Sequence, residues 1–195
     1  AAHLVASGGP AVEAMPMVEF VLSYPAFVEL RFAHWPVVMR LPAPDPPRPL
    51  TSAVWSFARG VACAATGRVS EAEAERNAFV AARKKVPAEL PFGSTGLNRA
   101  AAVLELAGLV LDGRLASARG DYAGAIEKLE AAVAAQDRLV YDEPPAWFFP
   151  VRETLGAVLL RAGRTEAAER VFRADLERNP RSGRSLFGLR ETLLT

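Results

Sequence analysis

The stretch RETLGAVLLRAGRTEAAERVFRADLERNP, residues 152–180, decides the fold of this 195-residue chain. Its large apolar residues recur at the three- and four-residue spacing of helices. They are Leu155, Leu159, Phe172 and Leu176. Gly163 lies between the two apolar runs and can adopt the left-handed conformation that ends a helix. Pro180 stops the second run, because the residue before proline avoids helical geometry. The stretch therefore predicts two short antiparallel helices joined as a hairpin.

Earlier parts of the chain repeat two features of this stretch. A small residue recurs where the two helices of a hairpin would cross, at Ala26, Gly60, Gly113 and Gly156. A residue of the predicted turn between the helices recurs at Ala33, Gly67, Gly120 and Gly163. The chain has only 14 glycines, so agreement at two spaced positions in four segments indicates an internal repeat.

This pattern resembles the tetratricopeptide repeat, in which W-x₂-L-G-x₂-Y is followed by A-x₃-F and then by P. Residues 152–180 match five of these seven positions, with Arg152 in the tryptophan position and Leu159 in the tyrosine position. The resemblance covers roughly residues 19–195 and is strongest after residue 105. It implies an all-α fold, a right-handed superhelix of stacked antiparallel helix hairpins (a TPR-like α-solenoid) with two insertions.

The repeat spacing divides the chain into eight predicted parts. They are the tail of a truncated preceding repeat (1–18), a degenerate hairpin with a proline-rich link (19–50), a hairpin (51–85), an inserted loop (86–97), a hairpin with a long first helix (98–140), an aromatic and proline-rich insertion (141–149), a hairpin (150–180) and a capping helix (181–195). The chain starts inside what reads as a helix, so we expect a piece of a longer protein.

Composition argues against several classes of function. Cys63 is the one cysteine and His3 and His34 are the two histidines, which leaves no internal disulfide and too few donors for a metal site. A net charge of +1 does not favour a nucleic-acid or anionic-membrane partner. Apolar runs fall short of the roughly 18 residues of a membrane span. We therefore expect a soluble, cytoplasmic, non-catalytic chain without cofactor or metal.

Composition also predicts the kind of secondary structure. Alanine occurs 37 times and arginine 20 times, both strong helix formers, whereas Ile126 is the single isoleucine. The scarcity of isoleucine fits a chain with no sheet to build. Cys63, between two alanines, is predicted to be a small buried packing residue. His34 is predicted to be a residue of a surface turn.

The resemblance places a partner in the groove formed by the first helix of each hairpin, where the family holds a peptide or a segment of another protein. The positions expected to face this groove are Phe57, Val61, Ala64, Val110, Arg114, Ser117, Glu153, Ala157, Leu160 and Arg161. Arginines among small and apolar residues suit a short peptide with an acidic group or a C-terminal carboxylate, which arginine binds in a bidentate manner.

The segment Trp147-Phe148-Phe149, enclosed by Pro144, Pro145 and Pro150, allows two interpretations. The aromatic rings could pack against a neighbouring repeat, as most aromatic surface does in folded proteins. Alternatively, they could anchor a partner, because interface hot spots favour aromatic residues.

The leading functional hypothesis is a non-catalytic scaffold that binds another protein or peptide. The alternative is a sensor or regulatory portion of a larger transcriptional or signalling protein, with the effector domain elsewhere. Neither hypothesis has this chain itself bind a nucleic acid or a membrane. A homo-oligomer formed through the last apolar helix is possible but not indicated by the sequence.

Overall fold

The computed structural model describes residues 15–44 and 48–195, and the described chain is predominantly helical. The predicted tail at 1–18 lies largely outside these residues. A 3₁₀ segment, Pro16–Ser23, precedes the first α-helix. The α-helices are α1 (Tyr24–Arg31), α2 (Trp35–Met39), α3 (Pro49–Ala65), α4 (Val69–Arg83), α5 (Ala100–Ala118), α6 (Tyr122–Asp137), α7 (Val151–Arg161), α8 (Thr165–Arg178) and α9 (Gly183–Leu193).

Consecutive helices pack on each other, α3 with α4, α5 with α6 and α7 with α8. A Cβ built on Gly60 of α3 would lie 2.9 Å from Leu111 of α5 and 3.4 Å from Glu75 of α4, and one built on Gly113 of α5 would lie 2.8 Å from Leu129 of α6. Gly156 in α7 lies against the ring of Phe172 in α8. The pairs then pack on one another, α3 against α5 and α6 against α7, with α9 against α8. Glycine permits these close approaches because a side chain at each position would meet its neighbour.

The four predicted turn residues share one backbone geometry. Their φ angles are positive, at 56° for Ala33, 74° for Gly67, 80° for Gly120 and 70° for Gly163. In each turn this residue donates its N–H to the carbonyl three residues earlier, and the next residue donates to the carbonyl five residues before itself. This is the Schellman arrangement, which satisfies carbonyls at a helix end. The sequence repeat is therefore also a repeat of turn structure.

The matched turns predict opposite effects of exchanging alanine and glycine. A left-handed conformation strains a side chain, so Ala33→Gly is expected to stabilise the protein by about 0.5–1 kcal/mol. Gly163→Ala is expected to destabilise it by about 1 kcal/mol, because a Cβ there meets no atom within 4 Å and only the conformational cost remains. Urea unfolding of both variants measures the difference. Equal signs for the two changes would contradict the shared geometry.

A small β-ribbon lies where the sequence predicts only a loop at 86–97 and no sheet. Strands β1 (Pro91–Phe92) and β2 (Asn98–Arg99) pair antiparallel, with Phe92 opposite Asn98. Gly93 and Gly96 turn the chain between them with φ angles of 90° and 66°. Phe92 is 1% exposed and its ring lies 5.5 Å from that of Phe20. Burial of Phe92 therefore holds the two strands together. Each strand has only two residues, so the sequence shows no alternation of apolar and polar residues that would predict them.

The buried carboxylate of Asp142 joins this ribbon to the start of the aromatic insertion. Asp142 Oδ1 accepts from the Ser94 hydroxyl and from the backbone N–H groups of Thr95 and Glu143, the latter two at 3.2 and 2.9 Å. The Ser94 hydrogen bond, with help from the two amides, lowers the pKa of Asp142 below its ordinary value. A side chain at Gly93 would collide with this carboxylate.

Replacing this carboxylate is expected to remove stability in a pH-dependent way. Asp142→Asn is expected to cost about 1–3 kcal/mol at pH 7, because an amide cannot accept all three hydrogen bonds. A carboxylate with a lowered pKa stabilises the fold above its unfolded pKa of about 3.9, and this contribution is lost as pH falls through the folded value. Urea unfolding at pH 7 and pH 2.5 should therefore show a smaller difference between wild type and variant at the lower pH. A difference independent of pH would contradict this role.

One continuous hydrophobic core runs through the packed helices, from Phe20 in the 3₁₀ segment to Phe172 in α8. Within the described part of the chain, no helix is long and apolar enough to cross a membrane.

Candidate functional site

The site is a cleft of about 750 Å³ in the helical face formed by α3, α5, α7 and α9. Its lining residues come mainly from these four helices. They are Trp35, Ala64, Ala65, Arg114, Ser117, Ala118, Phe149, Glu153, Thr154, Ala157, Val158, Leu160, Arg161, Phe172, Gly183, Arg184, Phe187, Gly188 and Glu191. The volume lies within the range of about 300–1,000 Å³ common for ligand sites.

The cleft lies on the side of the hairpins formed by their first helices. Helices α3, α5 and α7 are the first helices of three successive hairpins, and each contributes to the lining. Of the lining residues named above, Phe172 of α8 is the one that comes from the second helix of one of these three hairpins. Small side chains such as Ala64, Ala118 and Ala157 leave the space that the cleft occupies.

Arg114 lines the cleft with part of its guanidinium unsatisfied. Its Nη2 donates to Thr154 Oγ1 at 3.0 Å, whereas its Nε is buried and has no hydrogen-bond partner. Burial, and then the positive charges of Arg184 and Arg161, lower the pKa of Arg114 to about 10. The side chain is still a cation at neutral pH, in a position that favours an incoming anion.

Two more arginines line the same cleft without a carboxylate partner. Arg184 donates to the neutral backbone carbonyl of Arg31. Arg161 is exposed, and among the described residues it forms neither an ion pair nor a hydrogen bond. We call Arg114, Arg161 and Arg184 the arginine cluster. Its members come from α5, α7 and α9, so helix packing rather than sequence proximity brings them together.

The two carboxylates of the cleft are already engaged by other arginines. Glu153 is 7% exposed and is bound by Arg31 at 2.5 and 3.2 Å, and its Oε1 also accepts from the Ser182 hydroxyl at 2.9 Å. Glu191 pairs with Arg190. The Arg31–Glu153 pair also ties α1 to α7, which holds the first part of the described chain against the last hairpin.

Eight of the thirteen residues predicted as partner contacts, ten in the groove and three in the aromatic segment, lie in this cleft. They are Ala64, Arg114, Ser117, Phe149, Glu153, Ala157, Leu160 and Arg161. The structure thus brings together predicted positions from the last two hairpins and from the end of α3.

Three further predicted groove residues are instead part of the core. Phe57 and Val110 are fully buried and Val61 is 3% exposed, so none of them is open to a partner. The placement on a groove surface is therefore wrong for these three. For Phe57 the physical reason is that the chain covers it itself, because Trp147 packs on its ring with centroids 5.6 Å apart. Val61 and Val110 belong to the same hydrophobic core.

The aromatic insertion supplies that cover. Trp147 is 4% exposed and lies between Phe57 and Phe27, whose ring centroid is 6.1 Å away. Phe148 stacks on Phe27 at 4.2 Å. Phe149 is half-buried and lines the cleft. Of the two interpretations of this segment, packing describes Trp147 and Phe148 against Phe27 and Phe57, and Phe149 is the ring of the three that lines the cleft.

Sequence reasoning missed several residues that line the cleft, among them two large aromatic residues and an arginine. Trp35 comes from the irregular first hairpin, and Arg184 and Phe187 come from the predicted capping helix. Phe187 is 63% exposed. A large aromatic residue on the side of the last helix that no later helix covers was the signal in the sequence that could have identified it.

Other candidate chemistry stays apart from the cleft. Cys63 is buried, and burial raises the pKa of its thiol above the ordinary value. His34 is exposed in its turn and contacts Glu29 Oε2 at 2.8 Å. Among residues 15–44 and 48–195, no three His, Cys, Asp or Glu side chains come together as a metal site would require.

Comparisons with known proteins give no family for this chain. No protein-family model matches the sequence, and a search of curated proteins finds no significant match.

Proposed function

We propose that this chain is a non-catalytic scaffold of TPR-like helix hairpins, stacked as a superhelix, and that its cleft holds a segment of another protein. The observation that carries the proposal is the position of the cleft on the first helices of three successive hairpins. A stack of hairpins offers such a face as an extended binding surface.

The repeated turn geometry supports the repeat part of the proposal. Four turns with positive φ and the same pair of hydrogen bonds each join two consecutive helices that pack on each other. Equal turns give each hairpin the same chain reversal, which supports the proposal that the hairpins are repeats of one unit. The aromatic insertion fills one part of the side formed by the first helices and leaves the remainder open as the cleft.

The lining also has the composition of a protein-binding surface. Interface anchors are rich in tryptophan, aromatic residues and arginine. The cleft presents Trp35, Phe149 and Phe187 together with the arginine cluster. Small residues between these groups leave room for the side chains of a bound segment.

A displayed library of random peptides tests the proposal with a variant that fills the cleft. Ala157 is exposed at the cleft, so Ala157→Trp is expected to occupy the space without disturbing the core. Wild-type protein should enrich a defined peptide family, and A157W should reduce its binding at least tenfold, the loss of about 1.4 kcal/mol.

Ala131→Trp is the matched control, because Ala131 is exposed on α6 and does not line the cleft. This variant should enrich and bind the same peptides as wild type. Thermal unfolding of both variants checks that each is folded. Failure of wild type to enrich any peptide family, or equal binding by A157W, would remove the proposal.

A further inference from the structure

Helix α9 turns an apolar side to solvent. Large apolar residues on this helix and directly after it are between 49% and 69% exposed, namely Leu186, Phe187, Leu193 and Leu194. The residues that α9 buries are small or polar, namely Ser185, Gly188 and Thr192. Helices at the edge of a hairpin stack normally have a polar outer side for solubility. An apolar outer side therefore indicates that another surface covers α9.

Contacts with α8 fix which side of α9 faces outward. The Ser185 hydroxyl donates to the buried carboxylate of Asp175 at 2.5 Å. Gly188 lies against the ring of Phe172, and a Cβ at this position would be 2.2 Å from the ring. Rotating α9 to bury its leucines would break the hydrogen bond to Asp175 and would place a larger side chain at the ring. The apolar side of α9 is therefore held outward.

The exposed apolar residues have a regular spacing along α9. Leu186 and Leu193 are seven residues apart, as are Phe187 and Leu194, so the members of each pair lie two turns apart on one side of the helix. At about 3.6 residues per turn, the four side chains span an arc of about 120°, with Arg190 at its middle. We call these five residues the α9 outer face.

The α9 outer face is complementary to itself, which a two-fold contact between identical chains requires. When two copies of α9 lie antiparallel with Arg190 at the centre, Leu186 of one copy lies beside Leu193 of the other. Phe187 lies beside Leu194 in the same way. Apolar contacts therefore form on both sides of the centre.

The charges at the centre of this arrangement also match. Arg190 is paired with the neighbouring Glu191, and their side chains are 65% and 36% exposed. In the antiparallel arrangement, Arg190 of each copy comes within reach of Glu191 of the other copy. A parallel arrangement would instead set Arg190 against Arg190 and Glu191 against Glu191. Opposite charges thus favour the antiparallel arrangement.

We propose that the α9 outer face joins two copies of this chain in a two-fold dimer, with the two α9 helices antiparallel. One helix face supplies less area than the roughly 800 Å² per partner of a standard interface. The dimer is therefore weak and reversible, with a Kd between about 10 µM and 1 mM. This inference goes beyond the proposed function, because it concerns the assembly of the chain and not the occupant of the cleft.

Sedimentation equilibrium of the whole chain between about 5 µM and 1 mM tests the dimer. The average mass of the wild type should rise from that of the monomer towards twice that value. Leu193→Glu should remain a monomer, because it places a carboxylate in the apolar contact. Leu97→Glu is the matched control, because Leu97 is likewise 62% exposed but lies in the β-ribbon, and it should dimerise like wild type. Circular dichroism checks that both variants are folded. A wild type that stays monomeric throughout, or equal self-association of wild type and L193E, would overturn the proposal.

Exchanging the two central charges tests the antiparallel arrangement. Arg190→Glu and Glu191→Arg should each weaken dimerisation at least tenfold, because like charges then meet at the centre. The double variant R190E/E191R should recover a Kd within about threefold of the wild type. An equimolar mixture of the two single variants should also dimerise, since each then meets the opposite charge. Failure of both the double variant and the mixture to recover dimerisation would overturn the proposal.

Discussion

Phe172→Ala is expected to lower the free energy of unfolding by about 3–5 kcal/mol, the cost of truncating a buried phenylalanine. Phe172 is 2% exposed and its ring occupies a slot between Gly156 of α7 and Gly188 of α9. A Cβ built on either glycine would lie 2.5 Å or less from the ring. The ring therefore connects three helices, and its loss opens a cavity that rigid helix backbones cannot close. Urea unfolding measures the change.

A double-mutant cycle distinguishes the loss of the specific contact between Gly156 and Phe172 from a general loss of buried apolar surface. Gly156→Ala is expected to destabilise the wild type by crowding the ring, and to cost much less when Phe172 is already alanine. Phe187→Ala is the matched control, because Phe187 is exposed and its truncation should cost under about 0.5 kcal/mol. Additive effects of G156A and F172A would show that the glycine and the ring do not share one slot.

Trp147→Ala is expected to cost about 3–5 kcal/mol and to loosen the first described helix. The indole packs on Phe57 of α3 and Phe27 of α1, so it connects the aromatic insertion to two distant parts of the chain. Its loss should raise amide hydrogen exchange in α1 more than in α8, because α8 is held by the separate Phe172 slot. Urea unfolding and hydrogen exchange together measure both effects.

Two variants control for the size and position of this side chain. Trp147→Phe should cost much less than W147A, because the buried Nε1 makes no hydrogen bond that phenylalanine would forfeit. Tyr141→Ala, in the same insertion but 77% exposed, should change stability by under about 1 kcal/mol. Equal effects of W147A and Y141A would contradict the covering role of Trp147.

Helix content and the positions of the turns were predictable from sequence because they depend on local chemistry. Gly67, Gly120 and Gly163 favour a left-handed turn whatever surrounds them, and each has a positive φ. The spacing of small residues similarly indicated which side of each helix meets its partner. The long first helix expected in the hairpin at 98–140 is found at Ala100–Ala118.

The cover over the first helices was not predictable, because it depends on contacts between residues far apart in sequence. Phe27 meets Trp147 and Arg31 meets Glu153 across more than a hundred residues, and no periodic pattern encodes such a meeting. Phe57 was assigned to the groove for this reason. The same limit applies to Arg184, whose helix reaches the cleft only after the last hairpin has packed.

The most direct measurement of the central claim is an amide NMR titration with the peptide that the wild-type protein enriches most strongly. The cleft on the first helices predicts that the largest shifts fall at Ala64, Ser117 and Ala157, which lie on three different helices. Amides of α4 and of exposed α6 positions such as Ala131 should move little. The largest shifts on α4 or α6, with the cleft residues unchanged, would contradict the claim.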